Sequence, residues 1–214
     1  MIQSCYMDDI YEKINWPFRG EIFMTNKIYA FIGPLASGKY MLLRQLISMG
    51  LHYIPIYTTR QLTKNEAKTD LYRCIDKTEF FKQSFIVKIT YKGDYYGILK
   101  KDVLDALQTH KISMIIIDIN GIKQLNKLLK NNLETIYIMC DYITIVERML
   151  RMGYTNADIK YHLEYAESNG EFDSWKTAQH VIKNISNPHT ALNQALAIMG
   201  LMTVAPKEKF QQLK

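Results

Sequence analysis

Short apolar runs alternate with segments of helical periodicity along most of the chain. Strands are predicted at the apolar runs, which lie at 27–32, 51–57, 112–118, 134–139 and 181–182. Helices are predicted where apolar residues recur three and four positions apart, at 39–49, 101–109, 121–130, 142–169 (broken at Gly153) and 189–200. This alternation predicts an α/β fold with a largely parallel central sheet.

The segment from about 58 to 98 interrupts this alternation. Residues 58–75 are polar and rich in turn-forming residues, and Thr78-Glu-Phe-Phe begins like a short capped helix. Residues 84–98 alternate like a β-hairpin whose turn is Lys92-Gly93-Asp94. We therefore expect residues 58–98 to form a small subdomain inserted into the main fold.

The two ends of the chain differ from the rest. Residues 1–23 show no strong period and carry Asp8, Asp9 and Glu12 ahead of Trp16-Pro17-Phe18. We expect the working domain to span residues 24–204, with 1–23 as an appendage or as the result of a start site assigned too far upstream. Residues 205–214 are predicted to form a polar, frayed tail.

Composition narrows the possible functions. The chain has 214 residues, 48% of them hydrophobic, which excludes disorder as its main state. Its 27 Lys and Arg against 21 Asp and Glu give a net charge of +6, but the lysines are scattered rather than clustered. This pattern argues against a nucleic-acid partner and suits a phosphate-bearing small molecule. No window approaches the roughly 18 consecutive apolar residues of a membrane span, so no membrane partner is predicted.

The three cysteines, Cys5, Cys74 and Cys140, show no close spacing. Neither a zinc site nor a disulfide framework is predicted, and Cys140 is expected to be a small buried hydrophobic residue. Reduced cysteines and an N-terminus unlike a signal peptide predict a cytoplasmic location.

A glycine-rich segment between the first strand and the first helix matches the pattern G-x-x-x-x-G-K. It comprises Gly33, Pro34, Leu35, Ala36, Ser37, Gly38, Lys39 and Tyr40. Roughly 0.04 matches are expected by chance in a chain of this composition. The glycines let backbone N–H groups point at phosphate oxygens, and the following helix adds its positive end. A lysine at the position of Lys39 reaches the β- and γ-phosphates of a nucleotide.

The residue after the lysine departs from this pattern. The motif asks for Ser or Thr, whose hydroxyl ligates Mg²⁺, and this chain has Tyr40. A phenol on a longer side chain does not occupy the same place without moving the metal. The loop is therefore predicted to bind phosphate, and no metal ligand is assigned with certainty.

Further motifs follow in a fixed order. They are Tyr57-Thr58-Thr59-Arg60, Glu66, Tyr72, Thr78-Glu79-Phe80, Gly93-Asp94-Tyr95-Tyr96-Gly97, Asp118-Ile-Asn-Gly121, Arg148, Ile159-Lys-Tyr-His-Leu163, Ala166 and Val181-Ile-Lys-Asn184. In order and spacing, residues 27–200 resemble the guanylate kinase family. The resemblance implies a P-loop NTPase-like, three-layer α/β fold with an acceptor-binding subdomain at 58–98 and a helical lid at about 144–170. It also implies transfer of the γ-phosphoryl group of ATP to a nucleoside monophosphate, GMP in the family, with ATP and Mg²⁺ as cofactors and nucleotides as the molecules bound.

The resemblance assigns four residues to the acceptor. Arg60 would grip the acceptor phosphate with its planar guanidinium, Tyr72 and Tyr96 would donate hydrogen bonds to it, and Glu66 stands where the family keeps an acidic residue. Alternatively, the tyrosines pack in the interior and Glu66 is a solvated loop charge.

Four further residues are assigned to ATP and to the transfer. By resemblance Lys39, Arg148 and Asp118 are catalytic: Arg148 would stabilise the moving phosphoryl group from the lid, and Asp118 would lie near the metal and the acceptor. Asn184 would face the adenine, and the whole of residues 33–40 would bind ATP. Alternatively, Arg148 is an exposed helix residue.

Several positions depart from the family. They are Thr63 (an Arg in the family), Val87 (the guanine-reading Glu), Ile98 (a guanine-contacting Ser), Ile56 or Tyr57 (a small hydroxyl), Ile116 (the first of two Asp), Met152 beside Arg151 (a lid Arg) and His162 (a lid Arg). Three possibilities stay open at this point: a kinase acting on GMP, a kinase with a different phosphorylated acceptor, and a degenerate member that binds nucleotide or a protein partner with little transfer. A plain α/β domain that binds no nucleotide is the remaining alternative.

Overall fold

A computed structural model describes residues 26–64, 66–185 and 188–202. Nine strands occur in these ranges: β1 (Lys27–Ile32), β2 (His52–Tyr53), β3 (Ile56–Thr58), β4 (Tyr72–Cys74), β5 (Phe85–Tyr91), β6 (Asp94–Leu99), β7 (Ile112–Ile116), β8 (Leu133–Met139) and β9 (His180–Lys183). Seven α-helices accompany them in the same part of the chain: α1 (Lys39–Ser48), α2 (Lys77–Lys82), α3 (Lys100–Thr109), α4 (Ile119–Leu129), α5 (Tyr142–Arg151), α6 (Asn156–Ser168) and α7 (Pro188–Ile198). The predicted alternation of strands and helices is confirmed.

The central sheet has five strands in the order β2-β7-β1-β8-β9, and every neighbouring pair is parallel. Successive residues of β1 from Ile28 to Ile32 are all buried. Because successive side chains of a strand point to opposite faces, both faces of the sheet are covered. The helices supply that cover, with α3 against β1, α4 against β8 and α7 against β9. This is the predicted α/β fold with a parallel central sheet.

A second sheet has the order β4-β3-β6-β5. Strands β5 and β6 form an antiparallel hairpin, and β3 pairs with β6 in the antiparallel direction. The hairpin turn is Lys92-Gly93, with φ of 50° and 84° at its two residues, while Asp94 already pairs with Tyr91. This sheet lies where the acceptor-binding subdomain is predicted, and its role in binding stays a prediction.

The prediction of one strand at 51–57 is wrong, because two short strands occur there. Strand β2 joins the central sheet beside β7, whereas β3 joins the second sheet. Pro55 stands between them. A proline offers no N–H to a sheet ladder, so the chain leaves the first sheet there and enters the second.

Other boundaries differ by a few residues. Strand β7 ends at Ile116, so Asp118 lies beyond the strand and caps α4, accepting a hydrogen bond from the Gly121 amide at 2.7 Å. The predicted break of the helical region at Gly153 is confirmed, and this residue has a φ of 84°. A 3-10 turn at Glu171–Lys176 was not predicted.

The predicted appendage at 1–23 and the polar tail at 205–214 lie outside the described residues. Cys140 is buried, as predicted, and burial raises the pKa of its thiol. None of the helices within the described ranges has both the length and the apolar character that crossing a membrane requires.

Candidate active site

The glycine-rich loop connects β1 to α1 and depends on two glycines with positive φ. Gly33 has a φ of 133°, and a Cβ there would lie 2.9 Å from the carbonyl oxygen of Ile138. Gly38 has a φ of 98°, and a Cβ there would lie 2.1 Å from the amide nitrogen of Asn184. Gly38 directly precedes α1, and no side chain caps the N-terminus of this helix. The first N–H groups of this helix therefore remain available to a phosphate.

Lys39 is folded back onto its own loop. Its Nζ donates to the carbonyl of Pro34 at 2.7 Å, to Ser37 Oγ at 3.4 Å and to the carbonyl of Gly33. The residue is only 7% exposed, and this burial lowers the pKa of the ammonium group to about 8, with Glu171 acting in the opposite direction. The ammonium group thus lies against loop carbonyls at the place where nucleotide phosphates are predicted to bind.

Arg148 from α5 joins the loop to the end of β9. Its Nη1 donates to the carbonyls of Ala36 at 3.1 Å and Ser37 at 3.0 Å, and its Nη2 donates to the carbonyl of Asn184 at 2.9 Å. The Asn184 side chain, 2% exposed, donates from Nδ2 to the same Ser37 carbonyl at 2.9 Å. The structure therefore places Arg148 and Asn184 against the phosphate loop. Their roles toward the phosphoryl group and the adenine stay predictions.

The predicted acceptor residues meet around Arg60. Its guanidinium forms an ion pair with Glu66, with Nη2 to Oε1 at 2.7 Å and Nη1 to Oε2 at 3.0 Å, and its Nε donates to the Tyr96 hydroxyl at 3.1 Å. The Arg60 Cζ also lies 5.7 Å from the ring centroid of Tyr72. Hydrogen bonds from Arg60 hold the pKa of Glu66 down to about 2. We call these four residues, Arg60, Glu66, Tyr72 and Tyr96, the acceptor cluster.

Tyr40 connects the phosphate loop to the acceptor cluster. Its hydroxyl contacts the hydroxyl of Tyr72, and the two ring centroids lie 6.1 Å apart at an interplanar angle of 30°. The predicted donor and acceptor sites are therefore neighbours.

The side chains around the phosphate loop are not arranged as the usual protein ligands of Mg²⁺. Tyr40 directs its hydroxyl to Tyr72, and Asp118 uses Oδ1 to cap α4. No group of three or more His, Cys, Asp or Glu residues that could hold a metal occurs among the described residues. The described side chains around the loop therefore do not form a protein-held Mg²⁺ site.

Helix α6, within the segment predicted to form the lid, touches the hairpin turn of the second sheet. The Tyr91 hydroxyl and His162 Nδ1 are 2.5 Å apart, and the Tyr91 ring meets that of Tyr165 edge-on at 4.7 Å. Lys92 Nζ lies 3.6 Å from Asp158 Oδ1. Burial lowers the pKa of His162, so the imidazole is neutral at pH 7 and does not supply the positive charge of the arginine that it replaces.

Two positions expected to read guanine are apolar neighbours. Val87 and Ile98 pair directly across the β5–β6 hairpin and are 2% and 3% exposed. Thr63, at the position of the missing arginine, donates from its hydroxyl to Glu66 Oε2 at 2.8 Å. Val87 and Ile98 therefore contribute buried apolar side chains to the second sheet, and Thr63 contributes a neutral hydroxyl to the loop. None of the three adds a charge.

Glu171 is a residue near the site that the sequence analysis missed. It lies in the unpredicted 3-10 turn, and burial raises the pKa of its carboxyl group while Lys39 lowers it. The neighbouring Phe172 packs in one apolar cluster with Leu35 and Ala36 of the phosphate loop. The 14-residue spacing from Glu167 to Val181 was the available signal, since it leaves room for an extra turn.

A glycine-rich loop between the first strand and helix of a parallel sheet defines a P-loop nucleotide-binding fold. The family model for guanylate kinase matches residues 25–190, and the chain belongs to the guanylate kinase family. A guanylate kinase of Bartonella henselae is 27% identical over 188 residues, covering 85% of this chain and 82% of that protein. One of Caulobacter vibrioides is 24% identical over 178 residues, covering 80% of this chain and 81% of that protein.

The solved structures support the fold. The crystal structure of guanylate kinase from Anaplasma phagocytophilum superimposes with a TM-score of 0.62 at 17% identity. The match covers 89% of this chain and 96% of that one.

Proposed function

We propose that this protein is an ATP-dependent nucleoside monophosphate kinase that transfers the γ-phosphoryl group of ATP to GMP. The observation that carries the proposal is the contact between the phosphate loop and the acceptor cluster through Tyr40 and Tyr72. An arginine and two tyrosines beside the phosphate loop suit an anionic second substrate, which a protein that binds one nucleotide alone does not need. Membership in the guanylate kinase family supports GMP as the acceptor.

In the proposed reaction, an ionised phosphate oxygen of GMP forms a bond to the γ-phosphorus of ATP. The bond from that phosphorus to the β–γ bridging oxygen breaks, and ADP leaves with the electron pair. Lys39, released from its loop carbonyls, would neutralise charge on the β- and γ-phosphates. Arg148, already at the loop, would stabilise the moving phosphoryl group. Arg60, with Tyr72 and Tyr96, would hold the acceptor phosphate in line.

The lid helices would exclude water, which otherwise competes with GMP as the acceptor. The contact of α6 with the hairpin turn through Tyr91 and His162 supports this role, because it brings the lid against the second sheet.

The test is ADP release by the purified full-length chain from ATP and Mg²⁺, with GMP, dGMP, AMP, CMP, UMP and ribose phosphates offered separately. We expect turnover with GMP and recovery of GDP as the product. The Lys39→Ala variant serves as the control and is expected to lose at least about a hundredfold in kcat/KM. ATP binding without ADP release for any acceptor would contradict the proposal and indicate a degenerate member. Turnover with another acceptor alone would contradict GMP.

A further inference from the structure

Tyr40 is the first residue after the phosphate-loop lysine, and its side chain leaves the loop toward the acceptor cluster. Its hydroxyl contacts that of Tyr72, and its ring stacks beside the Tyr72 ring. Both rings are partly buried and pack against the main hydrophobic core. Close packing on the core leaves few alternative rotamers, so this direction is a fixed feature of the fold.

Most of the groups that act electrostatically on the Tyr40 phenol belong to the acceptor cluster: Tyr72, Glu66, Tyr96 and Arg60. The buried Tyr53 of β2 also interacts with it. Burial raises the pKa of Tyr40, so the hydroxyl keeps its proton at neutral pH. A protonated phenol beside an arginine is a hydrogen-bond donor suited to a phosphate.

The alternative role for this position is the metal ligand that serine or threonine supplies in other phosphate loops. That role needs a small hydroxyl within reach of the β- and γ-phosphates, close to the helix backbone. The Tyr40 oxygen lies at the far end of the ring, against Tyr72. One oxygen does not serve both places.

We propose that Tyr40 is an acceptor-binding residue, which donates its hydroxyl hydrogen bond to the acceptor phosphate together with Tyr72, Tyr96 and Arg60. The inference rests on the proposed function, since it assumes a phosphorylated acceptor at this cluster. It gives α1 two tasks: Lys39 at its first position faces the nucleotide loop, and Tyr40 at the next faces the acceptor. The N-terminus of one helix thereby sets the separation of the two phosphates that react.

Calorimetric binding of GMP to the full chain, in EDTA and without ATP, tests this directly. We expect Tyr40→Phe to weaken GMP binding about tenfold, as for the loss of a hydrogen bond to a charged group. Binding of ADP with Mg²⁺ is expected to change less than about twofold, because the hydroxyl does not face the donor. The matched control is Tyr95→Phe in β6, whose ring packs against Phe80 and Phe81 of α2 and which should bind GMP like the unsubstituted chain.

Two further variants test the proposal even if Tyr40→Phe fails to fold. Tyr72→Phe removes the same hydroxyl pair from its other end, and the double variant with Tyr40→Phe should lose less affinity than the two single losses combined. Tyr40→Ser supplies a small hydroxyl at the helix, so it should weaken GMP binding while lowering the Mg²⁺ concentration needed for half-maximal turnover. Thermal unfolding of each variant verifies that it is folded.

Unchanged GMP affinity in folded Tyr40→Phe, or an increased Mg²⁺ requirement as its main effect, would overturn the inference. Failure of the unsubstituted chain to bind GMP would instead show that the proposed acceptor is wrong. In that case the same Tyr40→Phe comparison is made with ribose 5-phosphate and with inorganic phosphate. Equal binding by both proteins, or no binding by either, would then overturn the role of Tyr40 itself.

Discussion

The guanidinium of Arg60 and the carboxylate of Glu66 form a two-point ion pair, with Nη2 to Oε1 at 2.7 Å and Nη1 to Oε2 at 3.0 Å. Thr63 adds hydrogen bonds to Glu66 from its amide at 2.9 Å and from its hydroxyl at 2.8 Å. Glu66 therefore stabilises the loop and orients the Arg60 guanidinium, whose Nε donates to the Tyr96 hydroxyl.

We expect Glu66→Gln to lower the free energy of unfolding by about 1 kcal/mol at pH 7, because the pair is partly exposed and screened by solvent. The pKa of Glu66 is lowered to about 2 from 4.5, so its contribution is present above pH 4.5 and is lost as the pH falls toward 2. Urea unfolding of both proteins at pH 7, 4.5 and 3 measures this. A stability gap that grows in acid would contradict the assigned pairing.

Arg148 connects three backbone carbonyls across the phosphate loop and the end of β9. A lysine keeps the charge but lacks the planar set of donors, so Arg148→Lys should lower kcat/KM by about a hundredfold. Arg44→Lys, at an exposed position of α1, is the matched control and should leave activity unchanged. Steady-state kinetics with ATP varied distinguishes the two. Equal activities would show that Arg148 has only a structural role.

The burial of Lys39 predicts a pH dependence of nucleotide binding. Its pKa is lowered to about 8 in the free protein, and a bound phosphate favours the charged form. Above pH 8 the nucleotide should therefore bind with uptake of a proton, and affinity should fall by up to about tenfold per pH unit.

Calorimetry of ADP binding at pH 8.5, in two buffers of different ionisation enthalpy, measures the proton uptake. The Lys39→Arg variant is the control, because an arginine stays charged throughout this range. Identical heats in both buffers for the unsubstituted chain would contradict the lowered pKa.

Tyr91 of β5 contacts His162 and Tyr165 of α6, in the segment predicted to form the lid. Tyr91→Phe keeps the ring contacts and removes the hydroxyl, so we expect kcat/KM for GMP to fall about threefold to tenfold. Tyr91→Ala removes both and should also raise the share of ATP that is hydrolysed without forming GDP, since the lid then closes less well against water. Product analysis by anion exchange gives that share. Tyr95→Phe should behave like the unsubstituted chain. An equal rise in ATP hydrolysis without GDP formation in Tyr95→Phe would contradict the role assigned to Tyr91 in closing the lid.

Local patterns were enough to predict most of the fold. The spacing of leucines in α1 and the apolar run of β7 are properties of neighbouring residues, and so is the glycine-rich loop between β1 and α1. The split at Pro55 was also readable in principle, because proline disfavours a continuous central strand.

Contacts between distant segments could not be predicted in this way. Tyr40 and Tyr72 are 32 positions apart, and Tyr91 and His162 are 71 apart. The motif showed that Tyr40 departs from Ser or Thr, but only the folded structure, which brings Tyr72 against it, shows where its hydroxyl lies. Likewise, the charge state of His162 depends on its burial beside Tyr91, which its sequence neighbours do not determine.

The paired Val87 and Ile98 predict how strictly the base is selected. A carboxylate that accepts hydrogen bonds from guanine N1–H and the exocyclic amine gives discrimination of about 10⁴ to 10⁵, whereas an apolar pocket gives about 10² or less. Both side chains are buried and apolar here, so kcat/KM for GMP and for IMP, which lacks the exocyclic amine, should agree within about tenfold. The GMP to AMP ratio should not exceed about 10². Steady-state kinetics with the three nucleotides, at fixed ATP and Mg²⁺, measures both ratios. A preference for GMP above 10⁴ over AMP would mean that polar groups elsewhere in the second sheet read the base.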